Sequence, residues 1–176
     1  VYFMEVNYRN KVPYNTAKLP IRQPKFMTHL LYLVSKLFMP RGIPYKIEKI
    51  NMENVKPPYI LLSNHMYFVD FQLSAMATWP HRVNNVATID GYYLRPWIME
   101  LLGCICKRKF TTDLHLVKSI RHVLKKGDVL CMYPEARYSP VGTTAILPDS
   151  LGKLVKMNKV PVVVMLHHGN YLYTPF

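Results

Sequence analysis

Short apolar runs and helix-period segments alternate along most of this chain, and that alternation limits the possible folds more than any other feature. Tyr45–Ile50, Tyr59–Ser63, Val83–Thr88, Cys104–Cys106, Val129–Tyr133 and Val160–Leu166 have the length and apolar character of strands. Helical patterns lie between them at Val69–Thr78, Leu94–Leu102, Asp113–Lys125 and Leu151–Lys156. The clearest is 113–125, where Leu116, Val117, Ile120, Val123 and Leu124 form one stripe. Thr112 or Asp113 supplies its cap and Gly127 its stop. Strands that alternate with helices are joined by crossovers, which favour parallel neighbours. The expected fold is therefore α/β: a single domain with a mixed, mostly parallel sheet flanked by helices. A chain of 176 residues is long enough for one such core.

The first 50 residues differ in character. Residues 1–23 are basic, rich in Tyr and Pro and without periodicity, and read as an extended arm. Residues 25–39 carry Phe26, Leu30, Leu31, Leu33, Val34, Leu37 and Phe38 at helical spacing, ended by Pro40 and Gly42. This amphipathic helix either packs its stripe on the core or lies in a lipid interface, with Lys25, Lys36 and Arg41 at the headgroups. The division expected is 1–42 for arm and helix and 43–176 for the main domain. Val1 at the start and an apolar end at Tyr171–Phe176 read as trimmed termini.

Charge narrows the choice of partners. Lys and Arg number 23 against 10 acidic residues, a formal +13. Such a surplus favours nucleic acid, acidic lipid or a phosphorylated substrate. It concentrates in residues 1–50, with nine basic and two acidic side chains, and in 105–126, with seven and one. Cys104, Cys106 and Cys131 form no CxxC pair and read as buried reduced thiols of a cytosolic protein. No metal is expected, since the seven histidines lack ligand spacing and the adjacent His167 and His168 are poorly placed to chelate one ion. No run approaches the ~18 apolar residues that span a bilayer.

In α/β sheets ligands gather at the carboxyl ends of strands, which brings two loops into view. The first is Ser63-Asn64-His65-Met66-Tyr67-Phe68-Val69-Asp70. At a strand-to-helix turn, Asp70 can fold back onto one ring nitrogen of His65, fix its tautomer and leave the other nitrogen as a base. The spacing alone is common in proteins. The second loop is Tyr133-Pro134-Glu135-Ala136-Arg137-Tyr138-Ser139-Pro140. Arg137 could fork onto a phosphate while Glu135 orients a hydroxyl or the arginine, or the pair could be a surface turn with a local salt bridge.

Taken together, the two loops resemble a known family. Asn64-His65 with Asp70 resembles the N-H-x-S/T-x-x-D block of the glycerolipid acyltransferases, and Tyr133-Pro134-Glu135 resembles their F-P-E-G-T-R-S block. Over residues 45–166 the chain is similar to the 1-acylglycerol-3-phosphate (lysophosphatidate) acyltransferases. Gly103 to Lys109 occupies the place of the second block, whose arginine binds glycerol phosphate; Arg108 is the candidate here, with Lys107 its rival. Val160-Pro161-Val162-Val163-Val164 resembles the fourth block, near the acyl pocket, but by itself reads as an ordinary buried strand. The chain departs from the pattern in two places. Tyr67 stands where the family has Ser or Thr, and Ala136-Arg137-Tyr138 replaces Gly-Thr-Arg, which moves the arginine by one position.

The resemblance implies transfer of a fatty acyl group from acyl-CoA or an acyl-carrier protein to a hydroxyl of a lysophosphatidate-like glycerophospholipid. His65 and Asp70 would be catalytic, with Asn64, Lys107, Arg108, Glu135 and Arg137 around the substrate. It implies no cofactor and no metal beyond the acyl thioester as co-substrate. With the basic N-terminal region it implies peripheral attachment to an anionic membrane surface at its cytoplasmic face. Two rivals are a lipid-binding relative without activity, raised by the altered third block, and a basic nucleic-acid-binding module. The second lacks any helix-turn-helix, zinc or aromatic-platform signature, so no specific nucleic acid is expected.

Overall fold

The computed structural model describes residues 14–15, 17–38, 45–67, 69–92, 96–108, 113–139, 142–143 and 146–173. Most of the predicted arm, the stop at Pro40 and Gly42, Arg41, Lys109, Thr112 and Pro140 lie outside these residues.

Among the described residues five strands and five α-helices follow in the order α1 (Lys25–Phe38), β1 (Ile60–Ser63), α2 (Asp70–Thr78), β2 (Val83–Thr88), α3 (Pro96–Leu101), β3 (Ile105–Lys107), α4 (Leu114–Lys125), β4 (Val129–Met132), α5 (Ser150–Asn158) and β5 (Val162–Met165). They form one five-stranded sheet in the order β3-β2-β4-β1-β5. Every pairing is parallel, with Ile60 opposite Leu130 and Val162, Val83 opposite Val129, and Val86 opposite Ile105. The antiparallel component that a mixed sheet allows does not occur among the described residues. Helices fill the connections α2, α3, α4 and α5, so each strand returns in the same direction.

Period-two alternation divides the strand side chains between two layers. Tyr59, Leu61, Val83, Val129 and Cys131 pack with Ala75 of α2 and with Leu31 of α1. Ile60, Ile105 and Leu130 pack on the opposite face with Ile120, Val123 and Leu124 of α4, and with Leu154 and Val155 of α5. The cap of α4 is Asp113, whose carboxylate accepts the Leu116 N–H at 3.1 Å. Gly127, at φ +77°, turns the chain from α4 toward β4. Gly103 has φ +69° and no room for a side chain, because a Cβ there would lie 2.6 Å from Asn84 Nδ2.

One expected strand is missing. Residues 45–49 have no regular structure, and Tyr45, Ile47 and Ile50 are exposed. The apolar positions alternate only from Tyr45 to Ile47 before Lys49 breaks the pattern, and among the described residues the segment has no sheet neighbour. Of the two placements left open for the N-terminal helix, packing on the core does not describe most of its apolar stripe. Toward the domain α1 turns the small polar Thr28 and Ser35 together with Leu31, whereas Phe26, Leu30, Leu33 and Leu37 stand 64%, 45%, 52% and 58% exposed. Before it, Arg22 forks onto Asp128 at 2.9 Å through both Nε and Nη2, and Arg82 Nε donates to Gln23 O at 2.7 Å. Tyr32 stacks on Trp79 with ring centroids 4.8 Å apart, which fastens α1 against the end of α2.

Candidate active site

The central strand β1 ends at Ser63, and the chain turns at once into α2, whose first residue is Asp70. That turn is closed by Asp70 itself. Its Oδ2 accepts the Met66 N–H at 2.6 Å, the Tyr67 N–H at 3.0 Å and His65 Nδ1 at 3.0 Å. The carboxylate thus satisfies two otherwise orphaned amides of the turn and orients the imidazole with the same oxygen. Asp70 is fully buried and the His65 side chain is 20% exposed. Burial by itself would raise the Asp70 pKa. Hydrogen bonds from His167, His65, the Tyr67 N–H and Asn170 outweigh it and hold the carboxyl well below its ordinary range, so it is an anion throughout neutral pH.

The second loop reaches the same place because β4 is hydrogen-bonded to β1. The Ser139 N–H donates to the His65 carbonyl at 2.7 Å, tying the two loops together. The His65 ring lies between two tyrosines, stacked on Tyr133 at a centroid distance of 4.1 Å and tilted against Tyr138 at 4.3 Å. Glu135 is buried and Arg137 exposed within this loop. Ala136 has φ +54°, a left-handed conformation at the position where the resembling family block has glycine.

The other residues expected here fall in different places. Asn64 joins the ends of β1 and β5: its Oδ1 accepts the His167 N–H at 2.8 Å and its Nδ2 donates to the His167 carbonyl at 3.0 Å. Lys107 closes β3, half-buried, and Arg108 follows it, exposed, with its N–H 3.4 Å from Asp113 Oδ2. Both are at the carboxyl end of the sheet, but β3 is three strands from β1, roughly 14 Å at ordinary spacing. Among the described residues no group of three or more His, Cys, Asp or Glu side chains could hold a metal ion.

Sequence reasoning missed four contributors. Tyr133 was visible as a strand end and block residue but not as a partner of His65, Tyr138 only as a loop residue, His167 only as half of a poor chelating pair, and Asn170 not at all. A histidine directly after a parallel strand, at the same sheet end as His65, was the available signal for His167.

A family model described as Acyltransferase matches residues 46–168. The chain belongs to that family. No curated protein sequence matches it. Among solved structures, the acyltransferase domain is similar to the 1-acyl-sn-glycerophosphate (LPA) acyltransferase PlsC from Thermotoga maritima, with a TM-score of 0.63 at 16% identity. That match covers 80% of this chain and 56% of the Thermotoga chain. The shared feature at this identity is the fold, a parallel α/β sheet with helices on both faces. In this member of the family Tyr138 occupies the position at which the family block carries its arginine, and its ring is tilted against His65.

Proposed function

We propose that the protein transfers a fatty acyl group from an acyl thioester, acyl-CoA or an acyl-carrier protein, to the hydroxyl of a lysophosphatidate-like glycerophospholipid. The observation that carries this reading is the bond of His65 Nδ1 to the fully buried, ionised Asp70. It leaves Nε2 as the basic atom of a partly exposed ring. Nε2 takes the proton of the acceptor hydroxyl as its oxygen attacks the thioester carbonyl. The C–O bond forms, the tetrahedral oxyanion collapses, the C–S bond breaks, and the imidazolium returns its proton to the leaving thiolate. Asp70 counters the positive charge that His65 carries between these steps. Glu135 and Arg137, on the adjoining loop, are assigned to the acceptor. Arg108, with Lys107 as alternative, is assigned to the more distant phosphate or headgroup.

Membrane attachment belongs to the same proposal. Phe26, Leu30, Leu33 and Leu37 follow one another at helical spacing and form an exposed apolar stripe on α1, with Lys25 and Lys36 exposed on the same helix. No helix among the described residues is long and apolar enough to cross a membrane. The expected attachment is peripheral, to an anionic surface at the cytoplasmic face, at about 1 kcal/mol per basic residue near the headgroups.

The test is release of free CoA from acyl-CoA on addition of lysophosphatidate, comparing the unaltered chain with His65→Ala. Release that disappears in the variant is expected. Equal release by both proteins would remove His65 as the base.

A further inference from the structure

Asp70 has a second histidine on its far side, for which the reaction above has no use. His167 follows β5 and is 6% exposed. Its Nδ1 lies 3.0 Å from Asp70 Oδ1, the oxygen that His65 leaves alone. Asn170 Nδ2 donates to that same oxygen at 2.7 Å and lies 3.0 Å from His167 Nδ1. Across the ring, His167 Nε2 is 3.3 Å from Ser63 Oγ. The His167 main chain is held in turn by both polar atoms of Asn64. Ser63, Asn64 and Asp70, the residues that place His65, are thus all bonded to the segment after β5.

The arrangement is two-sided. One Asp70 oxygen serves His65 and the amides of Met66 and Tyr67; among the described residues the other faces His167 and Asn170. A carboxylate held at one oxygen can still swing about its Cβ–Cγ bond, and every degree of swing bends its bond to the imidazole. Donors on both oxygens fix the carboxylate plane. The partner of one ring nitrogen decides which tautomer a histidine adopts, so a fixed plane keeps the proton on His65 Nδ1 and the lone pair on Nε2.

We propose that His167 and Asn170 are positioning residues for acyl transfer, holding Asp70 from the side opposite His65 and so fixing the His65 tautomer. This rests on His65 being the base. Neither residue contacts substrate in this role, and their loss lowers turnover without weakening substrate binding. A histidine that only fills the core would show no such separation.

The experiment uses the whole chain with His167→Leu, His167→Asn and Asn170→Ala. CoA release gives kcat and KM, and the ring 15N shifts of His65 give its tautomer. His167→Leu lowers kcat by roughly 10- to 100-fold, the usual loss when the outer hydrogen-bond partner of a functional group is removed, and leaves KM within about twofold. His167→Asn keeps a donor in the place of Nδ1 and recovers most of kcat together with the single His65 tautomer. A folded His167→Leu with unchanged kcat and an unchanged His65 tautomer overturns the proposal. If His167→Leu does not fold, Asn170→Ala takes its place with the same two readouts and the same criteria. Full activity in His65→Ala would instead overturn the base assignment, whereas the 15N shifts report on the Asp70 clamp whether or not His65 is the base.

Discussion

Replacing Asp70 with asparagine should slow the reaction by roughly 5- to 100-fold and no more. The reason lies in which way the new amide must face. On the His65 side, Oδ2 accepts two backbone N–H groups, from Met66 at 2.6 Å and Tyr67 at 3.0 Å, and a backbone donor cannot reverse its role. An asparagine NH2 placed there would oppose both of them as well as His65 Nδ1. The amide oxygen therefore takes that side and still accepts from His65, which keeps the useful tautomer. The NH2 group falls on the Oδ1 side, where Asn170 can reverse its amide and His167 can present a lone pair. What disappears is the negative charge. A hydrogen bond to a charged group contributes about 1.5–3 kcal/mol against about 0.5–1.5 for a neutral one, so the imidazolium loses about 1–2 kcal/mol. At about 1.4 kcal/mol per decade, that is about 5- to 30-fold, and poorer positioning of the ring extends the range upward. Asp70→Ala would additionally orphan the buried amides of the turn, so it should cost far more activity and destabilise the fold. The assay is kcat for CoA release by variants whose circular dichroism matches the parent. Asp70→Asn within twofold of wild type would refute the charge role. Asp70→Asn as inactive as Asp70→Ala would refute the assigned amide orientation.

Acid should weaken the fold through the same residue. The folded pKa of Asp70 lies below its unfolded value, so its contribution is complete above the unfolded carboxyl pKa of about 4 and is lost as pH falls below it; urea midpoints from pH 6 to pH 2.5 should fall less steeply in Asp70→Asn. Ala136→Gly should raise stability by about 1 kcal/mol, because Ala136 holds φ +54° against the steric cost of the left-handed region; chemical denaturation checks it, and an unchanged midpoint would count against it. Leu30→Glu with Leu33→Glu, at positions 45% and 52% exposed, should leave thermal stability within about 1 kcal/mol. Co-sedimentation with anionic vesicles should drop at least about tenfold in that double variant, and unchanged binding would remove α1 as the lipid contact.

Local and periodic information in the sequence was enough for much of this. The apolar stripe and cap of α4 lie within a dozen residues, and the helix forms at Leu114–Lys125 as the pattern requires. The His65–Asp70 pair lies within one turn, so its spacing already permitted the 3.0 Å bond. Alternation of strands and helices fixed the parallel α/β class, because a parallel neighbour cannot be reached without a crossover. Tyr45–Ile50 shows the limit of such signals, since a short segment with apolar positions becomes a strand only when a neighbour supplies hydrogen bonds and cover.

Strand order was decided by tertiary structure alone. With β4 and β5 on either side of β1, the loop at 133–139 and the segment after Met165 both converge on His65, whereas β3 at the sheet edge keeps Lys107 and Arg108 at a distance. No periodicity records that Asn170 meets Asp70 across 100 residues, or that Tyr133 and Tyr138 enclose the His65 ring. Nor could the helical stripe of α1 say which side faces the domain. Hydrophobic periodicity gives the direction of a face but not what lies opposite it, and that is set only when the whole sheet has assembled.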